Sequence, residues 1–228
     1  MSSDIVTDKG GTQSDIPRAT PGDVTVGTAV EAPSTAFFAG NPAALGVPVF
    51  VAGSVALGLV LLGYVPASAV GASIPIIGAA TGLGLLVATV WSAAVGQTAV
   101  ASIFGIFAGF WLSYAVLVLG LLHNWFAISP AAAVHTQGLF LITWLVVIVV
   151  LTIATLHLPL AFSVLFVLID ATLAVVLAAT INGSSTLAKV GGVGALAFAA
   201  VGAYLFVGIA SQATGGAGVP LGGPILKS

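Results

Sequence analysis

Beyond Glu31 the chain carries only three charged side chains, Asp170, Lys189 and Lys227. A soluble domain draws about a quarter of its residues from Asp, Glu, Lys and Arg, because its surface faces water. With 4% charged and 59% apolar residues among 228, this chain cannot coat a globule of its size, so its surface must face hydrocarbon. The remaining charges, Asp4, Asp8, Lys9, Asp15, Arg18, Asp23 and Glu31, are gathered ahead of the apolar body. A net charge of -2 with no basic patch points away from nucleic acid. The absence of cysteine rules out disulfides and thiolate metal sites. The first residues lack the apolar core of a signal peptide.

Residues 1–36 are rich in Ser, Thr, Gly, Pro and Asp without periodicity, and read as a disordered polar tail. Long apolar runs follow at about 45–63, 70–92, 98–122, 134–154, 158–180 and 188–210, each near the ~20 residues that cross a bilayer core. Their continuous hydrophobicity predicts helices, since barrel strands would alternate over ~10 residues. The expectation is an all-α membrane protein with a six-helix domain over 37–212 and a short Gly/Pro-rich tail over 213–228. The breaks carry turn chemistry: Gly63-Tyr64-Val65-Pro66, Gly96-Gln97, Ser129-Pro130, Leu158-Pro159 and Asn182-Gly183-Ser184-Ser185. An even number of spans puts both termini on one side. Lys9, Arg18 and Lys227 favour the cytoplasm for that side, and Lys189 counts against it.

Small residues recur at the spacing that lets helices approach closely in lipid: Gly78 and Gly82, Gly105 and Gly109, and Gly191, Ala195 and Ala199. This spacing speaks for packing, and by itself names no substrate.

The first span opens with Asn41-Pro42-Ala43-Ala44-Leu45-Gly46-Val47. Asn is a good N-cap and Pro is favoured at the first helical position. A helix N-terminus offers free N–H groups and about half a positive charge, which suits a carboxylate without any Lys or Arg. From the residues alone, an anion lure and a simple helix start are both open.

Asn41-Pro42-Ala43-Ala44-Leu45-Gly46 resembles the Asn-Pro-Ala-Pro-Leu-Gly signature of the acetate uptake transporters, also called succinate–acetate permeases. Two further landmarks are similar in order and placement. Gly96-Gln97-Thr98 is followed by Phe110-Trp111-Leu112 in span three, and Val219-Pro220-Leu221-Gly222 follows Tyr204 of span six. The resemblance covers residues from about 38 to 223 of a six-span frame. The chain departs from the family at Ala44, where a second proline is common, and at Val47, where leucine is common. The junction of spans four and five also lacks basic residues.

The resemblance implies transport of acetate and other small carboxylates such as succinate, a homohexameric ring in the lipid bilayer of the plasma (inner) membrane, and one path through each protomer. It implies that Asn41, Pro42, Ala43, Leu45 and Gly46 meet the substrate. It also implies a hydrophobic constriction from Phe50, Phe107, where the family typically has tyrosine, and Ile169. Helical geometry adds that Phe107 lies about 200° round from Gly105 and Gly109. If the glycines pack on neighbours, Phe107 faces a pore or lipid. An apolar girdle can gate by dewetting and favours a small, weakly hydrated acid. Without the resemblance, both phenylalanines read as ordinary core or lipid-facing residues.

Asp170, the acid predicted at membrane depth, is a candidate proton relay, since loss of water favours the protonated carboxyl. A neutral Asp bonded to a neighbouring helix, or an interfacial one, is the alternative. His123, His135 and His157 fall near span ends, where a histidine can sense pH or simply sit at the interface. Ser54, Thr81, Thr143 and Thr172 could bond a carboxylate, although such hydroxyls more often bond their own helix. No metal-ligand spacing, phosphate-binding loop, cofactor motif or nucleophile–base pair is present, so neither an enzyme nor a cofactor is expected. Three functions are open on residue chemistry: a carboxylate permease, a pore for neutral solutes or gases, and a structural membrane protein.

Overall fold

The structure is a computed structural model that describes residues 39–227. The expected polar tail, residues 1–36, lies outside the described residues. Six helices long and apolar enough to cross a membrane follow in order among the described residues. They are α1 (Ala43–Leu62), a composite second span ending in α2 (Gly84–Ala94), α3 (Thr98–Leu122), α4 (Pro130–Ala154), α5 (Leu160–Asn182) and α6 (Ser185–Ala213). Successive spans reverse direction. One end of the bundle therefore holds Asn41, the 95–97 turn, the 155–159 turn and the C-terminal segment, and is called the motif end below. The opposite end holds the 63–66, 123–129 and 183–184 connections.

The helix ends follow from local chemistry. Gly63 and Gly183 adopt positive φ, 81° and 60°, and turn their N–H groups back onto the last carbonyls of α1 and α5. Only glycine takes up that left-handed cap at no steric cost. Ser184 then caps α6, its hydroxyl accepting from Leu187 N at 3.2 Å.

The second span is not one α-helix. It begins with a 3₁₀ turn, Ala67–Ser73, passes into a π-helical stretch, Pro75–Leu83, and becomes α-helical at Gly84. Pro75 cannot donate to the preceding turn. The widened π turns bring Thr81, fully buried, against α1, where its hydroxyl donates to Val49 O at 2.9 Å. That bond pins the irregular segment to α1 beside Phe50.

Small residues set the helix spacing. α1 and α6 approach where Gly58 faces Gly192: a methyl on Gly192 would lie 2.9 Å from the Gly58 carbonyl. The predicted small-residue pairs also fall at contacts. Gly78 meets Ala115, Gly82 meets Leu112, Gly105 meets Thr89, and Gly109 meets Trp144. Ala195 and Ala199 are buried.

Residues 214–227, the Gly/Pro-rich tail, fold back as a strap across the motif end. Tyr204 Oη donates to Pro220 O at 2.6 Å, Ala161 N donates to Leu221 O at 2.9 Å, and Leu226 N donates to Leu156 O at 3.1 Å. The strap thereby supplies an acceptor to the Ala161 amide at the start of α5 and a donor to the Leu156 carbonyl in the turn before it.

Candidate functional site

At the start of α1, Asn41 is exposed and Pro42 is fully buried. Asn41 Oδ1 accepts from Ala43 N at 3.0 Å and its carbonyl accepts from Ala44 N at 3.0 Å. Leu45 N and Gly46 N both donate to Pro42 O at 3.0 Å. The expectation of free N–H groups at this helix start is therefore corrected: Asn41 and Pro42 already satisfy them. What is left for a passing anion is the positive end of the helix dipole. Gly46 has a packing reason, since a Cβ there would strike the ring of Phe104. Leu45 is half-buried and packs on the core. Ala43 borders a cavity that runs inward from the motif end.

That cavity holds about 730 Å³, its opening included, and every side chain lining it is apolar. A second cavity of about 560 Å³, also counted with its opening, continues toward the opposite end. Phe50 and Phe107 line both, and so form the partition between them. Their rings meet edge-to-face with centroids 5.1 Å apart, a favourable aromatic geometry. Phe107 is 4% exposed and Phe50 6%. With Gly105 and Gly109 at helix contacts, Phe107 points into the bundle and not to lipid. Ile169 is buried as well and borders the second cavity.

Two further rings complete the partition, and sequence reasoning missed both. Phe166 stacks on Phe107 at 6.1 Å and Phe198 lies 5.9 Å from Phe50. Phe166 precedes Ile169 by three residues and shares its helix face, so helical periodicity alone could have found it. Phe198 had no comparable cue.

The cavities form a series. A recess under the strap, bordered by Val219 and Leu221, shares Phe162 and Leu205 with the motif-end cavity. The second cavity shares Leu61 and Val176 with an open mouth at the opposite end, where Thr180, Ser184 and Ser185 bring polar groups.

Polar side chains along the helices are mostly engaged. Ser54 donates to Phe50 O at 2.7 Å, Thr143 to Leu139 O at 2.8 Å and Thr172 to Leu168 O at 2.7 Å, all within their own helices. Thr81 alone of these four bonds another helix. Asp170 Oδ2 accepts from Thr152 Oγ1 of α4 at 2.7 Å, while its Oδ1 is buried with no partner among the described residues. Its carboxyl thus sits at the α4–α5 contact, and it borders neither of the two cavities that meet at Phe50 and Phe107. His135 and His157 are exposed, and His157 Nδ1 lies 3.1 Å from Leu226 O of the strap. His123 stacks on Trp125 at 5.8 Å.

Comparison with known proteins places this geometry in context. The model of the GPR1/FUN34/yaaH family matches residues 22–216. The meiotically up-regulated gene 86 protein of Schizosaccharomyces pombe is 34% identical over 94 residues, 39% of this chain and 30% of that protein. The chain thus matches less than a third of that relative's length. The solved structure of the bacterial acetate channel SatP superposes with a TM-score of 0.71 at 22% identity, covering 81% of this chain and 99% of that one. That likeness shows a shared fold.

Proposed function

The chain belongs to the GPR1/FUN34/yaaH family, and from that membership we propose that it carries acetate and other small carboxylates, such as succinate, across a membrane. The path runs within one protomer. One observation carries the reading: the cavities line up through shared side chains from the strap to the opposite mouth, with Phe50 and Phe107 as the partition midway. The acetate channel named for the similar fold supports the choice of substrate class.

A route lined by apolar side chains disfavours strongly hydrated ions, because nothing replaces the lost water. A one- or two-carbon acid loses less on entry and has an apolar end that the rings can accept. Dewetting at the Phe50–Phe107 partition closes the route to water and bulk ions. Asn41, Pro42, Ala43, Leu45 and Gly46 form the entrance, and Ile169 borders the route just beyond the partition. Counterflow of labelled acetate in liposomes holding the purified protein tests this. Saturable flux that formate and succinate inhibit is expected; flux no greater than in empty liposomes would refute it.

A second reading, a pore for small neutral solutes or gases, is favoured by the apolar lining and by the satisfied amides at the start of α1. It predicts flux that no carboxylate inhibits.

The finer parts of the proposal have their own tests. Protomers form a homohexamer in the plasma (inner) membrane, with the termini in the cytoplasm. The mass of the detergent-solubilised complex tests the assembly, with six protomers expected and a monomer against it. Accessibility of terminal tags tests the orientation. Asp170 acts as a proton relay, a role supported by its unpartnered buried oxygen. Asp170→Asn keeps the shape and cannot titrate, so the relay predicts flux that no longer responds to a pH gradient. A retained response would leave Asp170 as a joint between α4 and α5.

A further inference from the structure

In the second cavity, among apolar side chains, one strong hydrogen-bond donor has no partner. Trp111 is 1% exposed and lines that cavity together with Phe50 and Phe107. Its indole Nε1 is buried without a hydrogen-bond partner among the described residues. An indole nitrogen can only donate, and a buried donor left unpaired is destabilising, so native proteins nearly always supply it with an acceptor. Two oxygens that could accept, Thr172 Oγ1 and Tyr114 Oη, line the same cavity, but neither is bonded to the indole. The surrounding Leu, Ile, Val and Phe side chains offer no oxygen.

We propose that Trp111 is a specificity-determining residue of the transport path, its Nε1–H donating to a carboxylate oxygen of the acid that has just passed Phe50 and Phe107. The inference rests on the transport reading above and adds the group that recognises the substrate. The donor recognises an acceptor and carries no full charge. The acid is held by a charge-assisted bond while its methyl group faces the rings, and it leaves without breaking an ion pair. The arrangement favours solutes that combine one acceptor group with a short apolar end. Tyr114 lines the same cavity and places a phenolic side chain near the indole, with ring centroids 6.4 Å apart.

Trp111→Phe keeps an aromatic side chain and removes the donor. In acetate counterflow, the half-saturation concentration is expected to rise about tenfold, the scale of one lost charge-assisted bond. Thermal stability should change little, because removal of an unpaired donor offsets part of the lost ring packing. In parallel, the indole ¹⁵N–¹H resonance of Trp111, assigned by elimination from the losses in Trp91→Phe, Trp125→Phe and Trp144→Phe, is followed in the native protein as sodium acetate is added. A saturating shift supports the proposal even if the variant fails to fold. Unshifted indole resonance in a protein that conducts acetate overturns the proposal and leaves the transport reading standing. A saturating shift without acetate flux supports the binding site and sinks the transport reading instead.

Discussion

Phe107 illustrates how much one side chain in this bundle depends on its neighbours. Gly105 and Gly109 meet Thr89 and Trp144, which turns the opposite face of α3 inward and brings the ring against Phe50 and Phe166. The glycine spacing made the direction legible in the sequence. The choice between pore and lipid was not legible, because it depends on where α1, α5 and α6 stand. The same limit hid Phe198. Phe107→Ala removes a ring that separates two cavities. In a packed core such a change costs about 3–5 kcal/mol, and less where the ring already borders voids. The variant should therefore remain folded. Its butyrate-to-acetate flux ratio should rise roughly tenfold, equivalent to ~1.4 kcal/mol at the barrier. An unchanged ratio at wild-type protein levels would remove Phe107 from the constriction.

At the scale of elements, apolar run length was sufficient to find all six spans, since in a bilayer the chain has few alternatives to helix. α3 runs over Thr98–Leu122, as the hydropathy predicts. The ends of α1, α5 and α6 follow Gly63, Gly183 and Ser184, which the sequence marks as turn residues. The winding of the second span was not legible. Its π-helical stretch needs Thr81 to reach Val49 of α1, a contact 32 residues away in sequence. π turns often mark functional positions, and this one holds the backbone next to Phe50. Thr81→Val preserves the shape and deletes the bond. It should cost about 1 kcal/mol, read as a lower melting temperature in detergent, and should loosen the partition enough to alter acetate flux. A variant as stable as wild type would show that the π turns need no such pin. The strap is the other element that composition concealed. Gly and Pro marked only a short tail, whose backbone carbonyls and amides find partners in Tyr204, Leu156 and Ala161.

Considered whole, the molecule joins two requirements that usually conflict. Its outer surface must be apolar because lipid surrounds it, and the two cavities within it are lined mostly by apolar side chains too. For the proposed transport, that leaves backbone dipoles, a few hydroxyls and one indole to provide selectivity. The Asn41-Pro42 motif was legible as a helix start from the sequence, but its amides turn out to be satisfied locally. Any attraction for an acid at that end therefore comes from the dipole of α1 and not from exposed donors. For the proposed transport, discrimination then falls to the interior, where Phe50 and Phe107 stand between the two cavities. The measurement that tests this most directly is uptake of labelled acetate and labelled glycerol into liposomes containing only the purified chain, with empty liposomes as reference. The account predicts saturable acetate uptake, inhibited by formate and succinate, with glycerol uptake no faster than in empty liposomes. Faster glycerol uptake with acetate uptake unchanged from the empty vesicles would contradict it.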